Sequence, residues 1–154
     1  MPMPKNLLEI KEYSGDGYKP VVDFEKWRVA MLNSVNGFFP EKIKEMEKHN
    51  ETDEVFVLLK ERGIIFLGEG DDGVIKIHAA DIEPYKIYNI KKSVWHTLVM
   101  AKGTKVLIVE NSDTASQNSS YCKLSEEQRK TISGLTKKLW RNDDVHKFVK
   151  GALK

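Results

Sequence analysis

The chain has a single cysteine, Cys122, in 154 residues. No intramolecular disulfide can form, and no cluster of thiolates can hold a metal. Long apolar runs are also missing. The longest, Val55 to Leu59, is five residues, far short of the roughly 18 that suggest a membrane span. The first fifteen residues lack an apolar core and a small-residue cleavage site, so they do not read as a signal peptide. A large charge excess is absent too: 25 basic against 23 acidic side chains leave +2. That balance gives no electrostatic case for a nucleic-acid partner. These absences lead to the expectation of a cytoplasmic protein with no membrane and no nucleic-acid partner.

What is present is an ordinary apolar share, 40%, in a length that suits one domain. Short β-type runs dominate residues 24–111. Trp27 to Leu32, Glu54 to Lys60, Ile64 to Leu67, Val74 to His78, Tyr85 to Ile90, Trp95 to Met100 and Lys105 to Val109 each read as a strand. Asp72-Gly73 and Lys102-Gly103 supply turns. Strands at this spacing suggest a sandwich or barrel. The polar stretch from Asn111 to Tyr121 reads as a loop.

The end of the chain changes character. Ser125 and Gln128 form a capping box, and Ile132, Leu135, Leu139 and Trp140 follow at helical spacing. Asp143-Asp144 can open a second helix carrying Val145, Phe148, Val149 and Leu153, and Trp140, Phe148 and Leu153 are candidate assembly anchors of the two tail helices. Residues 123–154 hold nine basic and four acidic side chains, +5, which leaves −3 for the remainder. The expected division is a barrel with an N-terminal extension over 1–122 and a helical tail packed on it over 123–154.

Ionisable residues gather in one place. If residues 42–49 are a strand, Lys42, Lys44, Met46 and Lys48 share one face, and Ile43, Glu45, Glu47 and His49 share the other. With the lysines in solvent, two carboxylates and an imidazole point inward. Burying them is costly unless they are paired or coordinate a metal. Glu54 follows His49 after four residues and opens an apolar strand. Imidazole and carboxylate together suit Fe, Mn, Ni or Zn. The other histidines carry less. His78 reads as a surface residue, and His146 as a solvated one on the tail.

The run Glu47-Lys48-His49, four residues, then Glu54 resembles the first motif of the cupin family, Gly, five residues, His-x-His, three or four residues, Glu, six residues, Gly. Glu47 stands at the first histidine, and Glu61 at the closing glycine. Around His96 the second cupin motif matches with Tyr85 and Ser93 at its two glycines, Lys91 at its proline and Met100 at its asparagine. The segments DEVFVLL, KIYNIKKSVWH and VLIVEN are similar to small bacterial cupins, some loosely labelled ureidoglycolate-lyase-like, over roughly residues 20–115.

The resemblance implies a mainly β, cupin-type jelly-roll barrel with a C-terminal helical extension, a small-molecule ligand in the barrel and a homodimer. It implies a divalent metal held by His49, Glu54 and His96, with Glu47 as a further ligand. Glu45, Phe56 and Tyr88 are the candidate pocket residues; Phe56 shares the parity of Glu54, and Tyr88 lies in the similar segment. No organic cofactor is indicated. An enzyme built this way would be a metal-dependent lyase, isomerase or dioxygenase. The alternative is a degenerate cupin without metal, serving as a small-molecule binding or interaction domain. An ion-free site is expected to set Glu47 against Glu54 and raise the pKa of one.

Overall fold

A computed structural model describes Met1 and residues 3–143, with Asn142 and Asp143 by backbone alone. Among the described residues, ten strands form two antiparallel sheets. They are β1 (Gly17–Phe24), β2 (Trp27–Ser34), β3 (Glu45–His49), β4 (Glu54–Lys60), β5 (Gly63–Glu69), β6 (Lys76–Ile82), β7 (Tyr88–Ile90), β8 (Trp95–Met100), β9 (Thr104–Asn111) and β10 (Ser119–Lys123). One sheet runs β1-β2-β9-β4-β7 and the other β10-β3-β8-β5-β6. One helix, α1 (Glu126–Asp143), closes the described chain.

The apolar pattern decides which strands are central. β5 and β8 carry continuous runs, Ile64-Ile65-Phe66 and Leu98-Val99-Met100, because both of their faces are covered. Ile65, Leu98 and Met100 meet Ala30, Phe56, Leu58, Val106 and Ile108 in the core between the sheets. Ile64, Phe66, Trp95 and Val99 face the other way, into a second core with Met46 and Ile132. α1 covers that second core with Ile132, Leu135, Leu139 and Trp140. Its start is the capping box read from the sequence. Ser125 N donates to Gln128 Oε1 at 2.8 Å, and Gln128 N donates to Ser125 Oγ at 3.2 Å.

Three local expectations are corrected. The segment 111–121 is not all loop: Ser119 to Lys123 pair with β3 as an edge strand. β7 starts at Tyr88 because Tyr85 holds a left-handed turn, with φ of 65°. The lysine face of β3 is not simply solvent. α1 covers it, so Met46 is buried, and Lys48 Nζ lies 4.4 Å from the Trp95 ring centroid. The expected second helix after Asp143, with Val145, His146, Phe148, Val149 and Leu153, lies outside the described residues.

Backbone strain sits at meaningful places. Among the described residues four non-glycine residues have positive φ, and three of them are Glu61, Tyr85 and Ser93, with φ of 59°, 65° and 64°. These are three of the four positions where the resemblance to cupin motifs expects glycine; the fourth, Glu41, lies in a 3-10 turn and is not left-handed. At Glu61, Tyr85 and Ser93 non-glycine side chains stand on a left-handed backbone. Each such residue costs on the order of 1–3 kcal/mol. Ser93 N also donates to His49 O at 2.8 Å, which ties the two motif regions together.

Two substitutions test this account. Ser93→Gly should raise stability by about 1 kcal/mol, since relief of left-handed strain outweighs the added chain entropy. Ile132→Ala should lower it by about 2–5 kcal/mol through the cavity left under α1. Urea unfolding monitored by circular dichroism reads both. A destabilised Ser93→Gly would contradict the strain argument.

Candidate metal centre

The two sheets part at the edge strands β1 and β10 and leave an open cavity of about 1180 Å³. Its inner wall is set by register. Antiparallel partners point the same way, so Ser119 beside His49, Tyr121 beside Glu47, and Lys123 beside Glu45 share the cavity face. Glu47 in turn lies opposite His96 on β8. The facing sheet contributes Glu54 and Phe56 from β4, and Ile108 and Glu110 from β9.

His49, Glu54 and His96 converge from three strands and two sheets. Glu54 Oε2 lies 2.9 Å from His96 Nε2 and 3.3 Å from His49 Nε2. All three residues are buried. Their outer nitrogens are engaged elsewhere. His96 Nδ1 donates to Val94 O at 3.0 Å, and His49 Nδ1 meets Ser119 Oγ at 2.8 Å. Neutral His96 therefore carries its Nε2 lone pair toward the cavity. Such a partner on the far nitrogen is how metal-binding imidazoles are fixed in tautomer and orientation.

Glu54 Oε2 and His96 Nε2 are among the buried polar atoms that lack any hydrogen-bond partner, despite their short separation. The separation is that of an ion pair, yet neither atom has a hydrogen-bond partner. Donor atoms sharing one ion at about 2.0–2.2 Å stand about 3.0–3.5 Å apart, which is the spacing found here. Two overlapping sets have ligand atoms within 4.8 Å of one another: Glu47 with His49 and His96, and His49 with Glu54 and Glu110. The donors present fit a divalent cation.

Charge is arranged to match. Burial pushes the Glu54 carboxyl up, but the imidazoles of His49 and His96 pull it down to about 2. Burial lowers both histidines, and the Glu54 carboxylate more than offsets it, so both end above the ordinary range. Glu110 is 6% exposed. Burial raises its pKa, and the Tyr18 hydroxyl, which donates to Oε1, opposes that. Arg28 stands 3.8 Å from the same oxygen. The carboxylate raised beside Glu54 is thus Glu110, whereas the sequence led to Glu47 as the repelling partner.

The remaining sequence candidates divide. Glu45 is exposed at the cavity wall, Glu47 is half-buried and Phe56 is buried, its ring 6.3 Å from that of His96. Tyr88 lies elsewhere. It packs against the core between the sheets, and its hydroxyl accepts from Glu83 N at 2.9 Å. Trp95 points away from His96 and donates to Gly70 O at 2.9 Å. His78 is half-exposed and pairs with Glu69. Glu110, Tyr18 and Ser119 escaped the sequence reading. One signal was available for Glu110: it continues the inward parity of Val106 and Ile108 on β9.

No protein-family model and no curated protein matches the sequence. Solved structures do. The chain is similar to a single-residue variant of Streptomyces PAC13 with uridine, at 9% identity over 76% of this chain and 87% of that one, with a TM-score of 0.53. A further PAC13 structure, described as a β-barrel and a unique nucleoside dehydratase, matches at 8% identity, 76% and 88% coverage, and a TM-score of 0.52. The capsular polysaccharide assembling protein CapF from Staphylococcus aureus matches at 14% identity over 79% of this chain, 35% of its own, with a TM-score of 0.57. The fold is a cupin-type jelly-roll barrel with a C-terminal helix. In this jelly roll the cavity opens where β1 and β10 leave the sheets unpaired. No helix among the described residues is long and apolar enough to cross a membrane.

The cluster predicts a pH signature in metal-free protein. Glu54 stabilises the fold above its ordinary 4.5 and loses that contribution as pH falls toward about 2. His49 and His96 stabilise it fully below their ordinary 6.5 and lose that as pH rises through their raised values. Chelator-treated protein should therefore gain most from the cluster between pH 4.5 and 6.5. Melting temperatures across pH for wild type and Glu54→Gln measure this. Parallel profiles would show that the charges are not coupled as described.

Proposed function

We propose that this chain is a divergent cupin that binds a divalent metal through His49, His96 and Glu54 and takes a small molecule in the cavity above it. Glu47 and Glu110 are the further carboxylates within reach. One observation carries the reading: buried Glu54 Oε2 and His96 Nε2 lie 2.9 Å apart with no hydrogen-bond partner, and His49 Nε2 from a third strand stands 3.3 Å from the same oxygen. The metal would supply a Lewis acid that polarises an oxygen of the bound molecule.

The chain's own residues do the rest. Ser119 and Val94 O hold the imidazoles in place. Glu110 is buried beside the cluster with a raised pKa, so it is suited to accept or return a proton at its carboxylate. Tyr18 orients that carboxylate through its hydroxyl. Phe56, Ile108 and Leu98 make the inner cavity apolar and limit water. Glu45, Tyr121 and Lys123 stand toward the open side, where a ligand enters. A volume of about 1180 Å³ accommodates a molecule of nucleoside size. The likeness to PAC13 with uridine supports that size for a barrel of this shape. If the chain is an enzyme, a metal-dependent lyase, isomerase or dioxygenase fits this reading.

Elemental analysis of protein purified without chelator tests the metal. Close to one ion per chain is expected. His49→Ala and His96→Ala should each lower metal occupancy at least about tenfold, since removal even of outer-shell partners costs about 10–100-fold in affinity. Metal addition should raise the melting temperature of wild type but not of either variant. Wild type purified with less than about 0.1 ion per chain, with no shift on adding Mn, Fe, Ni or Zn, would overturn the reading.

A further inference from the structure

The cavity has two electrical ends. Carboxylates gather at the inner end, around the His–Glu cluster. Where β10 passes into α1 the lining turns basic, with Lys44, Lys123 and Arg129. These residues are far apart in sequence, and the fold brings them to one corner. β10 pairs with β3 so that Lys123 lies opposite Glu45, the neighbour of Lys44. Leu124 N then donates to Lys44 O at 2.9 Å, and α1 begins two residues later. Buried Ile43, Leu124 and Ile132 share one core and anchor the corner from behind. Arg129 stands at the end of the first turn of α1.

Among the described residues, none of these three cationic side chains has an ion pair or a hydrogen bond. The acidic groups nearby do not neutralise them. Glu126 is held by Lys130 at 2.7 Å. Glu45 faces Lys123 in register but forms no ion pair with it. Lys42, a fourth basic residue of this end, donates to Gly37 O at 3.3 Å. A cleft lined by one sign of charge concentrates the opposite ion.

We propose that the ligand is a phosphate ester, with its phosphate seated on Lys44, Lys123 and Arg129 and its far end at the His–Glu cluster. This names the class of the small molecule proposed above and rests on that reading, though not on the metal. Charge favours phosphate over carboxylate. A phosphate monoester brings nearly two negative charges and three terminal oxygens to three separate cations, and an Arg can hold two of those oxygens at once. Length sets the rest of the molecule. From Glu45 to His49 is four steps along β3, about 13 Å at about 3.3 Å each. A nucleoside monophosphate spans such a distance, and a free sugar does not. Glu45 and Glu47 line the wall between the two ends, where they can accept from hydroxyl groups.

Isothermal titration calorimetry on the full chain, at constant ionic strength, tests the seat. Inorganic phosphate should bind with one saturable site per chain. Lys123→Ala and Arg129→Ala alter exposed residues. Each should weaken that affinity about three- to tenfold. Lys138→Ala, on the exposed face of α1 and away from the cavity, should leave it unchanged. Adenosine monophosphate should bind at least about tenfold more tightly than adenosine, and the two exchanged variants should shrink that ratio. Absence of saturable phosphate binding, equal losses in the Lys138 variant, or equal affinity for adenosine and its monophosphate would overturn the proposal. So would phosphate binding that disappears on treatment with chelator, since the anion would then sit on the metal. Metal content of the same samples separates the two readings. Full occupancy without a phosphate seat defeats this inference alone, and a phosphate seat in metal-free protein sustains it while the metal reading fails.

Discussion

A buried carboxylate caught between two imidazoles is the constraint on which the site depends. Glu54 begins β4, at a position that is otherwise core, and is 5% exposed. An uncompensated carboxylate there would be costly, because removing one partner of a buried pair leaves a charge in low dielectric. His49 and His96 supply the compensation from the opposite sheet. The cluster therefore joins the two sheets at the inner end of the cavity, where apolar contacts give way to polar ones. It also explains why Ser119 and Val94 O hold the outer nitrogens. Without those contacts the rings could turn and the carboxylate would lose its partners.

The same logic extends outward. β10 and β1 are edge strands, and each puts a tyrosine on the cavity side. Tyr18 reaches Glu110, and Tyr121 lies beside Glu47. The order along the cavity runs from apolar residues through the His–Glu cluster to ring and charged side chains at the opening. The proposed metal site would use this order of environments: a dry end that strengthens electrostatics, donors for an ion, and a polar entrance. Charge is distributed accordingly, with carboxylates inside and the basic surplus on the C-terminal segment.

How much of this was legible in the sequence depended on burial. β4 and β8 could be bounded from the sequence because Glu54–Lys60 and Trp95–Met100 are apolar on both parities or nearly so. β1 and β10 were missed because an edge strand has one neighbour and a wetter face, so Gly17–Phe24 and Ser119–Lys123 lack a strong alternating signal. Pro20 added to the disguise; it is tolerated at the edge, where the register of β1 shifts between Pro20 and Val22. The spacing from His49 to Glu54 needed only local chain geometry. Tyr18 and Ser119 needed strand pairing, which no local pattern supplies. Glu61, Tyr85 and Ser93 hold a backbone conformation that glycine favours, which their side chains do not announce in the sequence.

The central claim is that the buried donors of three strands are arranged for one ion rather than for each other. Anomalous diffraction at the absorption edge of the metal, on crystals of the full chain grown with Mn, Ni or Zn, addresses it most directly. The account predicts one anomalous peak in contact with His49 Nε2, His96 Nε2 and a Glu54 oxygen. A peak held only by exposed carboxylates, or no peak and Glu54 hydrogen-bonded to both imidazoles in good geometry, would contradict it.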